Sequence, residues 1–367
     1  MKIGILTFQD ALNQGAVLQG YALQTLLTSF GYEVEFINYC PHNKFSIYRY
    51  VSKSPKIMKE RLLNTFYDLK YHLLGDFNKI LKVNQHNYYS NDELKYDCPS
   101  YDIYIVGSDQ VWNFSRTIDT TYLLDFVPQN KVKIAYAASL GQCCIPQKFS
   151  SVIQANLSTF RAVSIREKTG ADFVKKMMQG FSKIKIEQTL DPTLLINKSN
   201  YDKILNPIKK KEEYIATYIL SIMDYDHNKI LKYISFKLNK KIINLRNPSS
   251  CVRLSYADNV IVEPGRFLSY IKESSFVVCS SFHAVVFSLI YHKPFVVLIP
   301  QTQEKTGGNM RINSLLQPLG ISHRCISVFD ETKIDVLINE CVDWKYIDCK
   351  LKESAVLSID FLKTNIF

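Results

Sequence analysis

Two α/β domains, each a Rossmann-like, doubly wound parallel sheet, facing each other across a cleft: this is the architecture the sequence predicts. Three observations lead to it. Apolar runs of strand length alternate with helical stretches along nearly all of the 367 residues. The alternation halts at a polar, lysine-rich stretch, 197–213, and then starts afresh. Hydrophobic residues make up 47% and charged residues 22%, which is the balance of a soluble globular chain and too apolar for a disordered one. The length suits two or three domains.

The first half opens with an apolar run at 2–8. A helix follows at 15–30, with Val17, Leu18, Tyr21, Ala22, Leu26 and Leu27 on one face and Gly31 as its stop. A second strand is expected at 33–39. Strand, helix, strand is the opening of a parallel sheet. Further strands are read at 101–107, 131–138, 162–166 and 186–190, with helices at 150–160 and 170–178. Beyond the hinge, strands are expected at 214–220, 241–245, 260–263, 276–280, 294–299 and 324–328. The helices between and after them are read at 227–238, 265–274, 283–292, 310–319 and 332–344, with a last amphipathic one at 352–365. The domains are therefore 1–200 and 205–348, with the segment 352–367 returning to the first.

One stretch departs from the rhythm. At about 44–95 amphipathic helices are inserted into the first domain, with Met58, Leu62, Phe66, Leu69, Leu73, Phe77 and Ile80 on a stripe. Lysine and arginine number 45 against 34 aspartates and glutamates, a net charge of +11. Nine of those cations and only three acids lie between Lys44 and Lys82. Such a balance favours anionic partners. Residues 53–82 either lie against an anionic membrane or pack on the first domain or a partner subunit. No nucleic-acid-binding motif accompanies the charge, so no nucleic acid partner is expected. A homo-oligomer is compatible with the sequence and not required by it. No apolar run reaches the length of a membrane span, and the start of the chain has no cleavage site, so a cytoplasmic protein is expected, at most touching the inner membrane face. Nine scattered cysteines without a CxxC pair read as reduced thiols.

In doubly wound sheets ligands bind beyond the carboxyl ends of the strands, so the residues there are the candidates. After the first strand come Asn13 and Gly15 at a helix start, where free N–H groups attract anions; Asn13 is equally a plain helix cap. The spacing is not that of a dinucleotide fingerprint. After 101–107 come Ser108, Asp109 and Trp112, either a cap with its helix or a sugar-binding loop with an indole face. Ser139, among small residues at the next strand end, leaves room for ligand or for close domain packing. Arg166 leaves an apolar element and needs an anion, either a ligand or Glu167 or Asp191. Ser280, Ser281 and His283 bring hydroxyls, open N–H groups and an imidazole to one helix start, where phosphate binds and a proton can be donated. Arg311, just past Gly307-Gly308, either reaches the cleft or is a surface charge.

Taken together, these segments resemble the polysaccharide pyruvyl transferase family. The likeness rests on Asn13-Gln14-Gly15-Ala16-Val17-Leu18-Gln19 with Tyr21-Ala22-Leu23-Gln24, and on Gly107-Ser108-Asp109-Gln110-Val111-Trp112-Asn113. It continues through Tyr136-Ala137-Ala138-Ser139-Leu140-Gly141, Ser164-Ile165-Arg166-Glu167 and Asp191-Pro192-Thr193. It ends with Ser280-Ser281-Phe282-His283, Phe287-Ser288 and the Arg311, Leu315, Leu316 pattern, so that it runs from residue 1 to about 320. Each motif alone is weak; their order and number make the match specific.

The resemblance implies a GT-B-like pair of Rossmann-like domains. It implies phosphoenolpyruvate as donor substrate, no further cofactor and no metal, and a saccharide acceptor of a cell-surface polysaccharide or its lipid-linked precursor. It further implies that Arg166 helps hold the donor and that His283 is the catalytic acid. Where some family members carry a basic residue two positions before this histidine, this chain has Ser281, so that one donor contact is either missing or supplied elsewhere, Arg311 being the candidate. The alternative is a GT-B-type glycosyltransferase using a nucleotide sugar, for which Glu263-Pro264-Gly265-Arg266 is the available feature.

Overall fold

The computed structural model describes residues 1–9, 11, 13–41, 77, 79–115, 117–142, 144–181, 184–209, 212–220, 225–247, 252–300 and 310–366. Most of the basic insertion expected at about 44–95, and with it most of the 53–82 stretch, lies outside them.

The strands of the first lobe are β1 (Lys2–Leu6), β2 (Glu33–Phe36), β3 (Ile103–Val106), β4 (Val132–Ala138), β5 (Ala162–Ile165) and β6 (Ile186–Gln188). They form one sheet in the order 2-1-3-4-5-6. Those of the second are β7 (Tyr214–Tyr218), β8 (Lys241–Arg246), β9 (Asp258–Ile261), β10 (Phe276–Cys279), β11 (Phe295–Leu298) and β12 (Cys325–Ile326), in the order 12-11-10-7-8-9. Each neighbouring pair runs parallel. Parallel sheets are covered on both faces, which is why β3, β10 and β11 are unbroken apolar runs buried along their whole length, and β5 is buried and apolar but for Ser164.

The helices are α1 (Gln14–Ser29), α2 (Asn91–Tyr96), α3 (Ser150–Leu157), α4 (Lys168–Met178), α5 (Lys198–Asp202) and α6 (Tyr225–Leu238), then α7 (Pro264–Glu273), α8 (Phe282–Ile290), α9 (Met310–Leu316), α10 (Glu331–Asn339) and α11 (Trp344–Ile366). Strand order reverses direction at β1/β3 in the first lobe and at β7/β10 in the second. Such switch points open a crevice at the carboxyl ends of their strands. The two lobes meet there: α1, leaving β1, packs on α7, α8 and the 192–194 turn.

Three expectations are corrected. α1 is not one-sided: Gln14, Gln19 and Gln24 are buried with its apolar residues. It lies between the lobes, and each glutamine finds an interior partner. Gln14 Nε2 donates to the Val262 carbonyl of the second lobe (2.6 Å), Gln19 Nε2 to Thr7 Oγ1 (2.9 Å) and Gln24 Nε2 to the Lys82 carbonyl (2.9 Å). The polar hinge at 197–213 contains a packed turn, α5, whose Tyr201 is fully buried. Its hydroxyl donates to the Thr193 carbonyl (2.8 Å) and its ring meets Phe287 edge-on. Finally, the helix expected at 332–344 ends at Asn339, and α11 starts at Trp344, where Asp343 Oδ1 accepts the Tyr346 N–H (2.9 Å). α11 begins on the second lobe, with Trp344 stacked on His292. It ends on the first, where Ser358 Oγ accepts the Leu190 N–H (2.9 Å) and Phe361 packs on Tyr136.

Candidate active site

β10 ends at Cys279 and α8 starts at Phe282, so His283 sits in the first helical turn directly over the switch point of the second lobe. Ser280 Oγ accepts the Leu220 N–H (3.1 Å) and so ties together the ends of β7 and β10. Ser281 holds the cap position; its carbonyl accepts the Val285 N–H (3.2 Å) and its hydroxyl makes no capping bond. His283 is 6% exposed, and its ring packs against the start of α1. A Cβ added at Gly15 would stand 2.1 Å from His283 Nδ1 and 2.3 Å from its Cγ. Only glycine permits that approach. Asn13 prepares the same turn: its Oδ1 accepts the Gly15 N–H (3.0 Å) and caps α1.

On the far side of the imidazole, Asp191 Oδ2 is 3.6 Å from His283 Nε2. The same oxygen accepts Arg166 Nη1 (2.8 Å) and the Ser108 hydroxyl (3.1 Å), while Oδ1 accepts the Thr193 N–H (3.0 Å) and hydroxyl (2.6 Å). Burial pushes the Asp191 carboxyl up, but His283, Arg166 and Thr193 more than reverse this and hold it well below the usual carboxylate range. It is therefore an anion at neutral pH.

Arg166, with a side chain 3% exposed, leaves the end of β5 into a nest of acids. Its Nε donates to Glu167 Oε1 (3.1 Å), and Nη2 lies 3.8 Å from Asp109 Oδ1. The guanidinium also stacks over Phe282, 4.4 Å from the ring centroid. Burial opposes its charge, but Glu167, Asp191 and Asp109 raise its pKa above the ordinary value. Ser139 Oγ donates to Glu167 Oε1 (2.7 Å), and the Ser139 N–H binds the Asp109 carbonyl (2.9 Å). Thus β3, β4, β5 and the turn after β6 each send a side chain to one cluster.

Arg311 enters from the second lobe. Its helix α9 docks on the start of α4, where the Lys168 N–H meets Ser314 Oγ (2.8 Å) and Thr169 Oγ1 meets Met310 Sδ (3.3 Å). Burial first, and then the like charge of Arg166, hold the Arg311 guanidinium below its ordinary pKa; Asp109 and Glu167 offset part of this. Among the described residues, four buried polar atoms of this cluster have no hydrogen-bond partner: Arg166 Nη2, Arg311 Nε, His283 Nε2 and Glu167 Oε2.

The structure thus brings together Asn13, Gly15, Ser108, Asp109, Ser139, Arg166, Ser281, His283 and Arg311. It does not bring Trp112 there. The indole is 1% exposed, donates to the Tyr122 carbonyl (2.8 Å) and packs edge-on against Phe160 in the first-lobe core. The Ser280 hydroxyl is engaged by the backbone rather than turned to the cleft. For Arg166, pairing with Glu167 and Asp191 is what two of its three nitrogens do. From the sequence, Asp191 and Glu167 have no role beyond counter-ions to Arg166 and places in the segments that carry the family resemblance, and Phe282 has only the latter. The signal for Asp191 was its place after a strand, before Pro192-Thr193. Among the described residues no group of three or more His, Cys, Asp or Glu side chains forms a metal site, and no helix is long and apolar enough to cross a membrane.

The family model for polysaccharide pyruvyl transferase matches residues 13–301, a span holding all of this cluster except Arg311. No curated protein matches the sequence. Solved structures share the architecture. UDP-N-acetylglucosamine 2-epimerase from Rickettsia bellii superposes with a TM-score of 0.58 at 8% identity, over 100% of this chain and 95% of that one. Arabidopsis thaliana UGT89C1, complexed with quercetin, gives 0.51 at 11% identity over 98% of each chain. UDP-GlcNAc 2-epimerase from Methanocaldococcus jannaschii gives 0.50 at 12% identity, over 98% of this chain and 99% of that one. At such identities the likeness is one of fold, the GT-B-like pair of Rossmann-like domains.

Proposed function

The chain belongs to the polysaccharide pyruvyl transferase family and is a transferase, and from that premise we propose that it moves the pyruvyl group of phosphoenolpyruvate onto two hydroxyls of a sugar. The products are a cyclic ketal and inorganic phosphate. The acceptor is a cell-surface polysaccharide or its lipid-linked precursor. The observation that carries the reading is His283: an imidazole over the switch point, seated on Gly15 and held beside an ionised Asp191.

In this scheme His283, protonated, gives its proton to the methylene carbon of the donor. The carbon–carbon double bond becomes a methyl group, and C2 becomes cation-like. A sugar hydroxyl oxygen then bonds to C2, and a second hydroxyl displaces phosphate. One hydroxyl proton restores His283 and the other leaves on the phosphate, so protons balance. Asp191 holds the imidazolium in place and stabilises its charge. Arg311 Nε and Arg166 Nη2, two cationic donors without hydrogen-bond partners among the described residues, take the donor's phosphate and carboxylate. Ser281 leaves that work to Arg311. Partly exposed Asn13 and Arg311 mark the rim.

The nucleotide-sugar alternative draws on Glu263, whose carboxylate is engaged in capping α7 through the Gly265 and Arg266 N–H groups (2.6 Å each). The test is turnover. The protein with phosphoenolpyruvate and a panel of p-nitrophenyl hexosides should release phosphate, and His283→Ala should lower the rate by about 100-fold or more. Release that survives His283→Ala removes the proposal.

A further inference from the structure

We propose that Glu167 is the catalytic base of the reaction, its free oxygen Oε2 taking the proton of the sugar hydroxyl that first attacks C2. This rests on the pyruvyl-transfer reading above.

The four unpartnered atoms of the cluster differ in kind. Arg166 Nη2 and Arg311 Nε only donate hydrogen bonds, and His283 Nε2 donates when protonated. A phosphate or carboxylate, made of acceptors, suits all three. It cannot suit Glu167 Oε2, an acceptor in the same place. Leaving such an oxygen buried and unpaired costs about 1–3 kcal/mol or more, so it is matched by something that brings a proton. The donor substrate as a trianion brings none; a sugar hydroxyl does.

The carboxylate is also aimed. Its other oxygen, Oε1, is fixed by Ser139 Oγ (2.7 Å) and Arg166 Nε (3.1 Å). Glu167 occupies the cap position of α4 in extended backbone (φ −94°, ψ 133°), yet its side chain makes no capping bond. Its side chain has turned from the helix start to the cluster. The neighbouring acids are placed differently. Both oxygens of Asp191 are taken, by Arg166 and Ser108 and by Thr193. Asp109 lies at the more exposed edge, with Arg166 Nη2 at 3.8 Å. The charged groups around Glu167 are thus Arg166 on its own strand end, Asp109, Asp191, His283 and Arg311 from the other elements.

The protons then follow two short circuits. His283 gives one to the methylene carbon and regains one from the second hydroxyl. Glu167 takes one from the first hydroxyl and passes it to the bridging oxygen of the departing phosphate. The C2–O(phosphate) bond breaks as the second C–O(sugar) bond forms, and both residues end as they began.

The experiment is phosphate release from phosphoenolpyruvate and p-nitrophenyl hexosides across pH, for wild type, Glu167→Gln and Asp109→Asn. Glutamine keeps an accepting oxygen for Ser139 and Arg166 and replaces only the free one. Glu167→Gln should lose about 100-fold in kcat, keep KM for phosphoenolpyruvate within about threefold, and lose the limb on which rate rises with pH. Asp109→Asn should keep that limb. The assignment is overturned if Glu167→Gln keeps the limb, if Asp109→Asn abolishes it, or if KM alone moves. Should Glu167→Gln not fold, Glu167→Asp retains the charge beside Arg166 and shifts the base. Its kcat should fall at constant KM, and an unchanged kcat overturns the assignment. A wild type that releases no phosphate, but is thermally stabilised by uridine diphosphate, defeats the pyruvyl reading itself and this role with it.

Discussion

The two lobes meet at the same cleft with opposite electrostatic habits. The first lobe brings charge that is largely matched: Arg166 lies among Asp191, Glu167 and Asp109, with Nη2 alone short of a hydrogen bond, and stacks on Phe282. The second brings His283 and Arg311, whose ring and guanidinium nitrogens, Nε2 and Nε, have no hydrogen-bond partner among the described residues. A matched buried cation holds structure together, since breaking it strands its acids. An unmatched one is a cost to the fold, tolerable where a ligand supplies the anion. The contrast is one of degree: the first lobe's arginine is held mainly by its own acids, as part of the frame, and in the proposed reaction lends one nitrogen, whereas the second lobe's His283 and Arg311 are left chiefly for the ligand.

Replacing each arginine in turn is the hardest blow to this comparison. Arg166→Ala leaves Asp191 and Glu167 buried without their cation and should cost about 3–5 kcal/mol of stability, read as a shift in the denaturant midpoint. Arg311→Ala relieves an unpaired charge and should leave that midpoint in place or raise it. Its damage should appear in KM for phosphoenolpyruvate, raised about tenfold or more, the worth of a charge-assisted hydrogen bond. If both variants lose stability alike, the contrast fails.

A smaller effect sharpens the frame side. The folded Asp191 carboxyl titrates below its unfolded value, near 3.9. A depressed pKa stabilises the fold above the unfolded value, and that contribution is lost as pH falls through the folded one. Asp191→Asn removes it at every pH. The variant should be less stable than wild type by about 3 kcal/mol at pH 7, and the gap should narrow below about pH 4. A gap that stays constant on acidification would mean that Asp191 carries no such charge.

The strands and the switch points were legible because a parallel strand buried on both faces leaves a continuous apolar run. The ends read from sequence for β3, β5, β7 and β10 fall within two residues of those observed. The strand-end logic also singled out His283, Arg166 and Ser108, which lie in one cluster around Asp191. It did not find the centrality of Asp191, whose partners Arg166 and Ser108 are 25 and 83 residues away. No local pattern encodes such a convergence. The same reason hid the burial of α1 on all sides: the helix looks amphipathic until the second lobe closes on its glutamines. Tyr201 in the polar stretch was lost in the same way, since its partners Thr193 and Phe287 belong to other elements.

The mildest test concerns two residues of one loop that face opposite ways. Asp109 reaches toward Arg166 in the cleft, whereas Trp112, three positions on, is turned into the first-lobe core against Phe160. An indole in that place supports the frame through packing and through its bond to the Tyr122 carbonyl. Trp112→Phe keeps an aromatic ring and removes the N–H, leaving that carbonyl short of a donor, at a cost of about 1–2 kcal/mol. The variant should therefore melt a few degrees lower while its KM for the p-nitrophenyl hexosides stays as in wild type. The reverse outcome, an unchanged melting temperature with a raised acceptor KM, would move the indole into the cleft as a sugar platform. The first lobe would then choose the acceptor as well as hold the frame and supply Glu167.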